Sequence, residues 1–391
     1  MQISQGPFSM PRSGIREIAD LAWKQPGAIR LEMGEPDFST PAHVVETAAR
    51  AAHDGQTRYA PNAGLPELRE ALAAKIERVN GLRVGVDELV VSNGAAQGLF
   101  AALTCMLSPG DEILLPNPGW PNFRMMARLL GARSVGYNLL PESGFEPDFD
   151  QLERSITERT RVILVNSPSN PLGSVLSVES MQRLLDLARR HDLWVVSDEC
   201  YDQIVFDGSF TSFATLEDRP ERVVSTWSLS KTFAMTGWRV GYVHAPAELV
   251  GTLCKVQEPL IACVNTPAQH AAIAAITGPQ DFVADSVAEY RARRDLVWKA
   301  LESFGVRAVR PNGAFYAWVP LGNDADSTEV ARRLVTEHGV AVAPGSTFGS
   351  QGNHAIRLSL AASREDLREG LDRVLGSGLV EPSGQPAAAQ V

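Results

Sequence analysis

Cysteine is scarce in this chain, with four among 391 residues, at positions 105, 200, 254 and 263. No two are spaced C-x-x-C, so a zinc ribbon or a thioredoxin-like redox site has nothing to build on, and no metal site is expected. Few thiols in a long chain suit a reducing cytoplasm. Long apolar runs are missing as well. None approaches the ~18 residues of a membrane span, and the first fourteen residues hold no apolar stretch of the kind that directs secretion. Basic runs are also absent. Lys and Arg number 36 against 46 Asp and Glu, a formal net charge of −10. That sign is unsuited to nucleic acid or to an anionic membrane surface, so neither is expected as a partner. There is no internal repeat.

What is present is ordinary globular composition, 44% apolar and 21% charged, in a chain longer than a single core usually grows, so two domains are expected. Short apolar runs of strand type fall at Leu89–Ser92, Glu112–Leu115, Arg161–Val165, Leu193–Ser197 and Arg222–Thr226. Helical spacing alternates with them, as in Leu99, Leu103, Leu107 and in Met181, Leu184, Leu185, Ala188. Such alternation predicts an α/β fold, a mainly parallel sheet covered on both faces. Pro279–Ser303 reads as one long helix, and its arginine-rich stretch Tyr290–Asp295 suits a solvated helix joining two domains. Ala314–Val319 and Ala355–Leu360 read as strands of a smaller α+β domain built from both chain ends. The expected division is 1–42 packing with that small domain, 43–285 large domain, 286–376 small domain, and 377–391 a frayed tail rich in Ser, Gly, Pro and Ala.

In an open parallel sheet, ligands bind outside the carboxyl ends of the strands. Unusual residues collect there. After the first run come Asn93, Gly94, Ala95 and Ala96, small-residue backbone leading into a helix, a form that binds phosphate through N–H groups. After the second comes Pro116-Asn-Pro-Gly119-Trp120-Pro121, a turn presenting an aromatic ring. Asn170 follows the third run, Asp198 and Tyr201 the fourth, and Ser228, Ser230, Lys231 and Arg239 the fifth. Each alone has a bland reading: a capping aspartate, a turn asparagine, a surface lysine. Their joint occurrence, in order, at successive strand ends is what points to a site.

The segment Ser228-Leu-Ser-Lys231-Thr-Phe-Ala-Met-Thr-Gly237-Trp-Arg239-Val-Gly241 resembles the pyridoxal-phosphate (PLP) lysine signature of class I/II aminotransferases, fold type I. The resemblance covers nearly the whole chain. It includes Gly34-Glu-Pro-Asp-Phe-Ser-Thr-Pro41, Tyr59-Ala-Pro-Asn-Ala-Gly64, Asn170-Pro-Leu-Gly173, Asp198-Glu-Cys-Tyr201 and Arg357-Leu-Ser, and its flavour is that of the bacterial aspartate/aromatic branch. It implies a seven-stranded sheet sandwiched by helices and ping-pong transfer of an α-amino group to a 2-oxo acid.

It also implies roles. Lys231 holds the cofactor as a Schiff base and shuttles a proton. Asp198 pairs with the pyridine nitrogen, Asn170 and Tyr201 bond the ring oxygen, and Trp120 stacks on the ring. Gly94, Ala95 and Ala96, with Ser228, Ser230 and Arg239, take the phosphate, and Tyr59 reaches the phosphate of a neighbouring subunit in a homodimer. Arg357 clamps the substrate α-carboxylate, with Asn170 and Gly34 assisting.

One departure matters. Ala96 stands where aspartate-specific relatives carry a lysine for the distal carboxylate, which points to a neutral apolar or aromatic donor, unless Arg12 or Arg16 reaches the site. A β-eliminating C–S lyase of the same fold uses the same residues and stands as the alternative. Ser228-Leu-Ser-Lys231 is formally the S-x-x-K of β-lactamases, but the supporting S-D-N and K-T-G elements are missing. A PLP-binding transcription regulator would need an N-terminal DNA-binding module, for which the pattern leaves no room.

Overall fold

The computed structural model describes residues 10, 12–217, 221–322 and 324–382. The expectations that fell on residues 1–9 and on the tail beyond 382 lie outside the described residues. Strand β1 (Ile29–Arg30) belongs to a smaller body treated below. The large sheet takes β2 (Leu89–Ser92), β3 (Glu112–Asn117), β4 (Arg133–Leu140), β5 (Glu146–Pro147), β6 (Thr160–Asn166), β7 (Trp194–Asp198), β8 (Val223–Ser228) and β9 (Gly241–His244). Their spatial order is β2-β9-β8-β7-β6-β3-β4-β5. From β8 to β4 all neighbours are parallel. β9 is antiparallel to both its neighbours, and β5 is antiparallel to β4. The seven expected strands are thus eight, the extra one being two residues at the edge.

Every residue of β2 and β3 is buried, because helices cover both faces; this is why these strands read as unbroken apolar runs. Adjacent residues divide between the two layers, as strand geometry requires. Val90, Ile113, Val162 and Val196 pack on one face with Leu99, Leu103 and Phe123. Val91, Leu114, Ile163 and Val195 pack on the other with Leu184 and Leu187.

In the second body, β10 (Tyr316–Pro320), β12 (Ala343–Pro344) and β13 (Ala355–Ser359) form an antiparallel sheet in the order β10-β13-β12, while β11 (Val340–Ala341) pairs in parallel with β1. Ile18, Ile29 and Leu31 share one buried cluster with Leu334, Ile356 and Leu371. Val380 is buried in the same cluster, so the chain expected to fray from Ser377 is packed through Val380.

The long helix runs Asp281–Phe304. Its arginine stretch is solvated at Arg291 but not at Arg293 or Arg294. Arg293 and Arg294 have side chains 5% and 2% exposed. Arg293 grips Asp37 with both terminal nitrogens, at 2.8 and 2.9 Å, and Glu289 with Nε at 2.8 Å. Arg294 bonds Asp295, Asp207 and the Pro311 carbonyl. Burial of a guanidinium is tolerated when its donors meet carboxylates in this way.

Candidate active site

The register lines the strand ends into rows. Asn166 stands opposite Asp198, and Asp198 opposite Thr226. Ser228 stands opposite Gly241, which in turn stands opposite Ser92. Chain leaving these rows encloses a cavity of about 280 Å³.

At one end is the backbone of Gly94, Ala95 and Ala96. Gly94 precedes the helix Ala95–Met106 with φ 75°, a conformation open to glycine and strained for other residues. A Cβ there would lie 2.4 Å from Arg239 Nη2. Arg239 itself has φ 56°. Its Nη1 donates to the Thr236 carbonyl at 2.7 Å, which holds the guanidinium beside the helix start. Ser228 caps the short helix Leu229–Thr232 by accepting from the Ser230 N–H, and both serines line the cavity. The first-turn amides of a twelve-residue helix, a guanidinium and two hydroxyls make an anion seat.

Lys231 points into the centre, with Nζ donating to the Gly34 carbonyl at 2.7 Å. A side chain on Gly34 would collide with the Tyr316 hydroxyl. Burial pushes the Lys231 ammonium down to about 8; Cys200 and Glu35 oppose the shift, and Arg239 and Arg357 add to it. The neutral amine needed for chemistry is therefore accessible near neutrality.

Asp198 is 5% exposed. Burial pushes its carboxyl up to about 6, against the hydrogen bonds from Cys200 and the charge of Lys231. Its Oδ1 accepts from the Cys200 N–H at 3.2 Å, and no cation among the described residues is ion-paired with it. The Cys200 thiol, a cavity wall residue, is held protonated by burial and by Asp198.

Arg357, on β13, is a buried guanidinium, 2% exposed, with no ion-paired carboxylate among the described residues. Its Nη1 donates to Asn170 Oδ1 at 2.9 Å, Nη2 donates to the Glu32 carbonyl, and Nε has no partner. The guanidinium lies 4.4 Å from the centroid of the Tyr316 ring. The Tyr201 and Tyr316 hydroxyls are 2.8 Å apart. Trp120 closes one wall, edge-on to Phe123.

The cavity thus gathers Gly34, Ala95, Ala96, Trp120, Asn170, Asp198, Tyr201, Ser228, Ser230, Lys231, Arg239 and Arg357. Gly94 sits directly behind it, against Arg239. Tyr59 is not brought to it: in the single chain its side chain is 90% exposed. Arg12 and Arg16 are also elsewhere, the first paired with Asp20, the second over the Trp23 ring. Glu32, Thr236 and Tyr316 line the cavity without having been singled out in the sequence, and Ile15, Asn166 and Cys200 line it without having been given a role. For Tyr316 the available signal was its place inside the predicted strand Ala314–Val319.

Residues 26–374 match the family "Aminotransferase class I and II". The aspartate/prephenate aminotransferase of Thermus thermophilus is 42% identical over 88% of this chain and 89% of its own. The aromatic-amino-acid aminotransferase 2 of Thermococcus litoralis is 37% identical over 93% of this chain and 94% of its own. The solved aspartate aminotransferase of T. thermophilus with maleate superposes with a TM-score of 0.90, at 39% identity, over 96% of this chain and 99% of that one. The chain belongs to the class I and II aminotransferases. It is a PLP-dependent enzyme of fold type I that carries out transamination.

The residues fit that cofactor. The anion seat, which has no room for a Cβ at Gly94, suits the phosphate. The buried Asp198, with no ion-paired cation among the described residues, suits a protonated ring nitrogen, and the unpartnered Nε of Arg357 suits an amino-acid carboxylate. Among the described residues no helix is long and apolar enough to cross a membrane.

Proposed function

We propose that this aminotransferase takes a neutral apolar or aromatic amino donor, and that its site residues act as follows. When bound, PLP supplies the electron sink for the pair left by Cα–H cleavage. Lys231 Nζ accepts that proton and returns it. Asp198 holds the ring N–H. Asn170 Oδ1 is occupied by Arg357, so its Nδ2 is left to donate to the ring oxygen, with the Tyr201 hydroxyl beside it. Ser228, Ser230, Arg239 and the Gly94–Ala96 amides hold the phosphate, and Trp120 covers the ring. Arg357 binds the α-carboxylate, with Asn170 and the Gly34 backbone beside it. A cytoplasmic homodimer, in which Tyr59 of each chain reaches the other's phosphate, completes the reading; the 90% exposure of Tyr59 and four free cysteines support it.

One observation carries the donor class. The cations lining the cavity are Lys231, Arg239 and Arg357, and each already has a task. None is left for a second carboxylate, and Ile15, Trp120 and Ala96 offer apolar wall instead. The names of relatives span aspartate/prephenate and aromatic amino acids, so family membership alone does not choose. Comparison of kcat/KM for phenylalanine, valine, alanine and aspartate tests the reading. Phenylalanine or valine should exceed aspartate by at least about tenfold, the margin worth 1.4 kcal/mol. A clear aspartate preference sinks it.

A further inference from the structure

A buried ion pair lies beneath the turn that carries Asp198 and Tyr201, outside the cavity wall, and none of the roles above uses it. Lys75 and Asp202 are 2% and 6% exposed, and Lys75 Nζ bonds Asp202 Oδ2. Asn80 closes the group into a ring. Its Oδ1 accepts from Lys75 Nζ at 2.9 Å, and its Nδ2 donates to Asp202 Oδ2 at 3.0 Å. Behind the ammonium stand Trp227 and Tyr242, stacked on each other, with ring centroids 5.9 and 6.0 Å from Nζ.

The local backbone is shaped for this ring. The helix Pro66–Lys75 does not stop at Lys75 but widens into a π-helical turn, Ile76–Asn80, closed by Gly81 at φ 72°. In an α-helix, positions five apart point about 140° away from each other. The wider turn brings Lys75 and Asn80 to the same side, and such turns occur mostly where side chains must be aimed.

The other half is the chain after β7. Asp198, Cys200 and Tyr201 face the cavity. Glu199 and Asp202 are buried in the protein instead. Glu199 Oε1 is fixed by Ser197, Ser212, Ser225 and the Phe213 N–H. Asp202 is the second anchor, and its own N–H bonds the Glu199 carbonyl. A buried ion pair gives little net stability over apolar packing, whereas its geometry is directional.

We propose that Lys75 and Asn80 are positioning residues for the cofactor: by clamping Asp202 they fix the turn that presents Asp198 and Tyr201, and Lys75 cancels a second negative charge behind Asp198. This rests on the ring placement proposed above. Four groups sense the Asp202 charge. They are Glu199 and Cys200 from the turn and Tyr242 from β9, with Lys75 from the helix paired to it directly. Burial first, and the Asp202 charge last, push the Glu199 carboxyl up to about 7.

The test uses Lys75→Met, Asp202→Asn and Asn80→Ala, with Asp198→Asn as control. Three quantities are read: the pH midpoint of the bound cofactor's visible absorbance, the dissociation constant of PLP from the stripped protein by tryptophan quenching, and the melting temperature of the stripped protein. Lys75→Met leaves an anion uncompensated, so its midpoint should rise by about half a unit or more. Asp202→Asn leaves the cation, so its midpoint should fall. Asn80→Ala should weaken PLP binding about fivefold or more, which also carries the test should Lys75→Met fail to fold. Shifts confined to melting temperature, or midpoints moving the same way in Lys75→Met and Asp202→Asn, overturn the proposal. A midpoint that moves in Asp198→Asn but in neither Lys75→Met nor Asp202→Asn rejects this inference alone. One that stays fixed in Asp198→Asn rejects the ring placement.

Discussion

Asp198 sits where ionisation is costly until a cation arrives. In the stripped protein its folded pKa, about 6, lies above the usual 3.8 because of burial. The folded state therefore binds a proton that the unfolded chain releases between these values. The resulting stability is present below about pH 4 and is lost as pH rises through 6. Asp198→Asn removes this dependence. Stripped Asp198→Asn should exceed stripped wild type by up to about 3 kcal/mol above pH 6, the equivalent of two pKa units, with the advantage vanishing near pH 4. Urea unfolding at pH 4.5 and 8 reads the difference, and parallel curves at both pH values would contradict it. Glu199, pushed up to about 7, contributes a slope of the same sign to both proteins and cancels in the comparison.

At the scale of elements, the loop between β2 and its following helix is the most constrained. Gly94→Ala would hold a β-carbon at φ 75° and press it against Arg239. The backbone strain alone is about 1–3 kcal/mol, and displacement of Arg239 adds to it. PLP affinity should fall about tenfold or more, with secondary structure unchanged by circular dichroism; undiminished affinity would mean that the anion seat lies elsewhere. How much of this was legible in the sequence varies by element. β2, β3, β6, β7 and β8 were, because two-sided burial writes a continuous apolar run. β4 was not, since exposed Arg133, Ser134 and Gly136 interrupt it, and four-residue β9 hides beside the lysine loop. Lys231, Asp198 and Asn170 stand at strand ends, where position is local information. Tyr316 and Glu32 reach the cavity only through the docking of the second body. The paired Arg293 and Arg294 misled for the same reason: Asp37 and Asp207 are distant in sequence and near only in the fold.

For the whole molecule, Tyr59 supplies the sharpest expectation. Its phenol is 90% exposed on one chain, and the proposed dimer would cover it. Light scattering of the holoprotein should give two chains per particle, and Tyr59→Ala should weaken PLP retention severalfold without dissociating them. A monomeric active enzyme would refute the shared site. The proposed carboxylate clamp has a different kind of reach. Arg357 donates to the Glu32 carbonyl 325 positions away, and β1 pairs with β11. The ribosome delivers every strand of the large sheet, and with them the residues proposed to seat the cofactor, before Arg357 is synthesised. In order of synthesis, the arginine proposed to bind the substrate carboxylate therefore comes after the residues proposed to bind the cofactor.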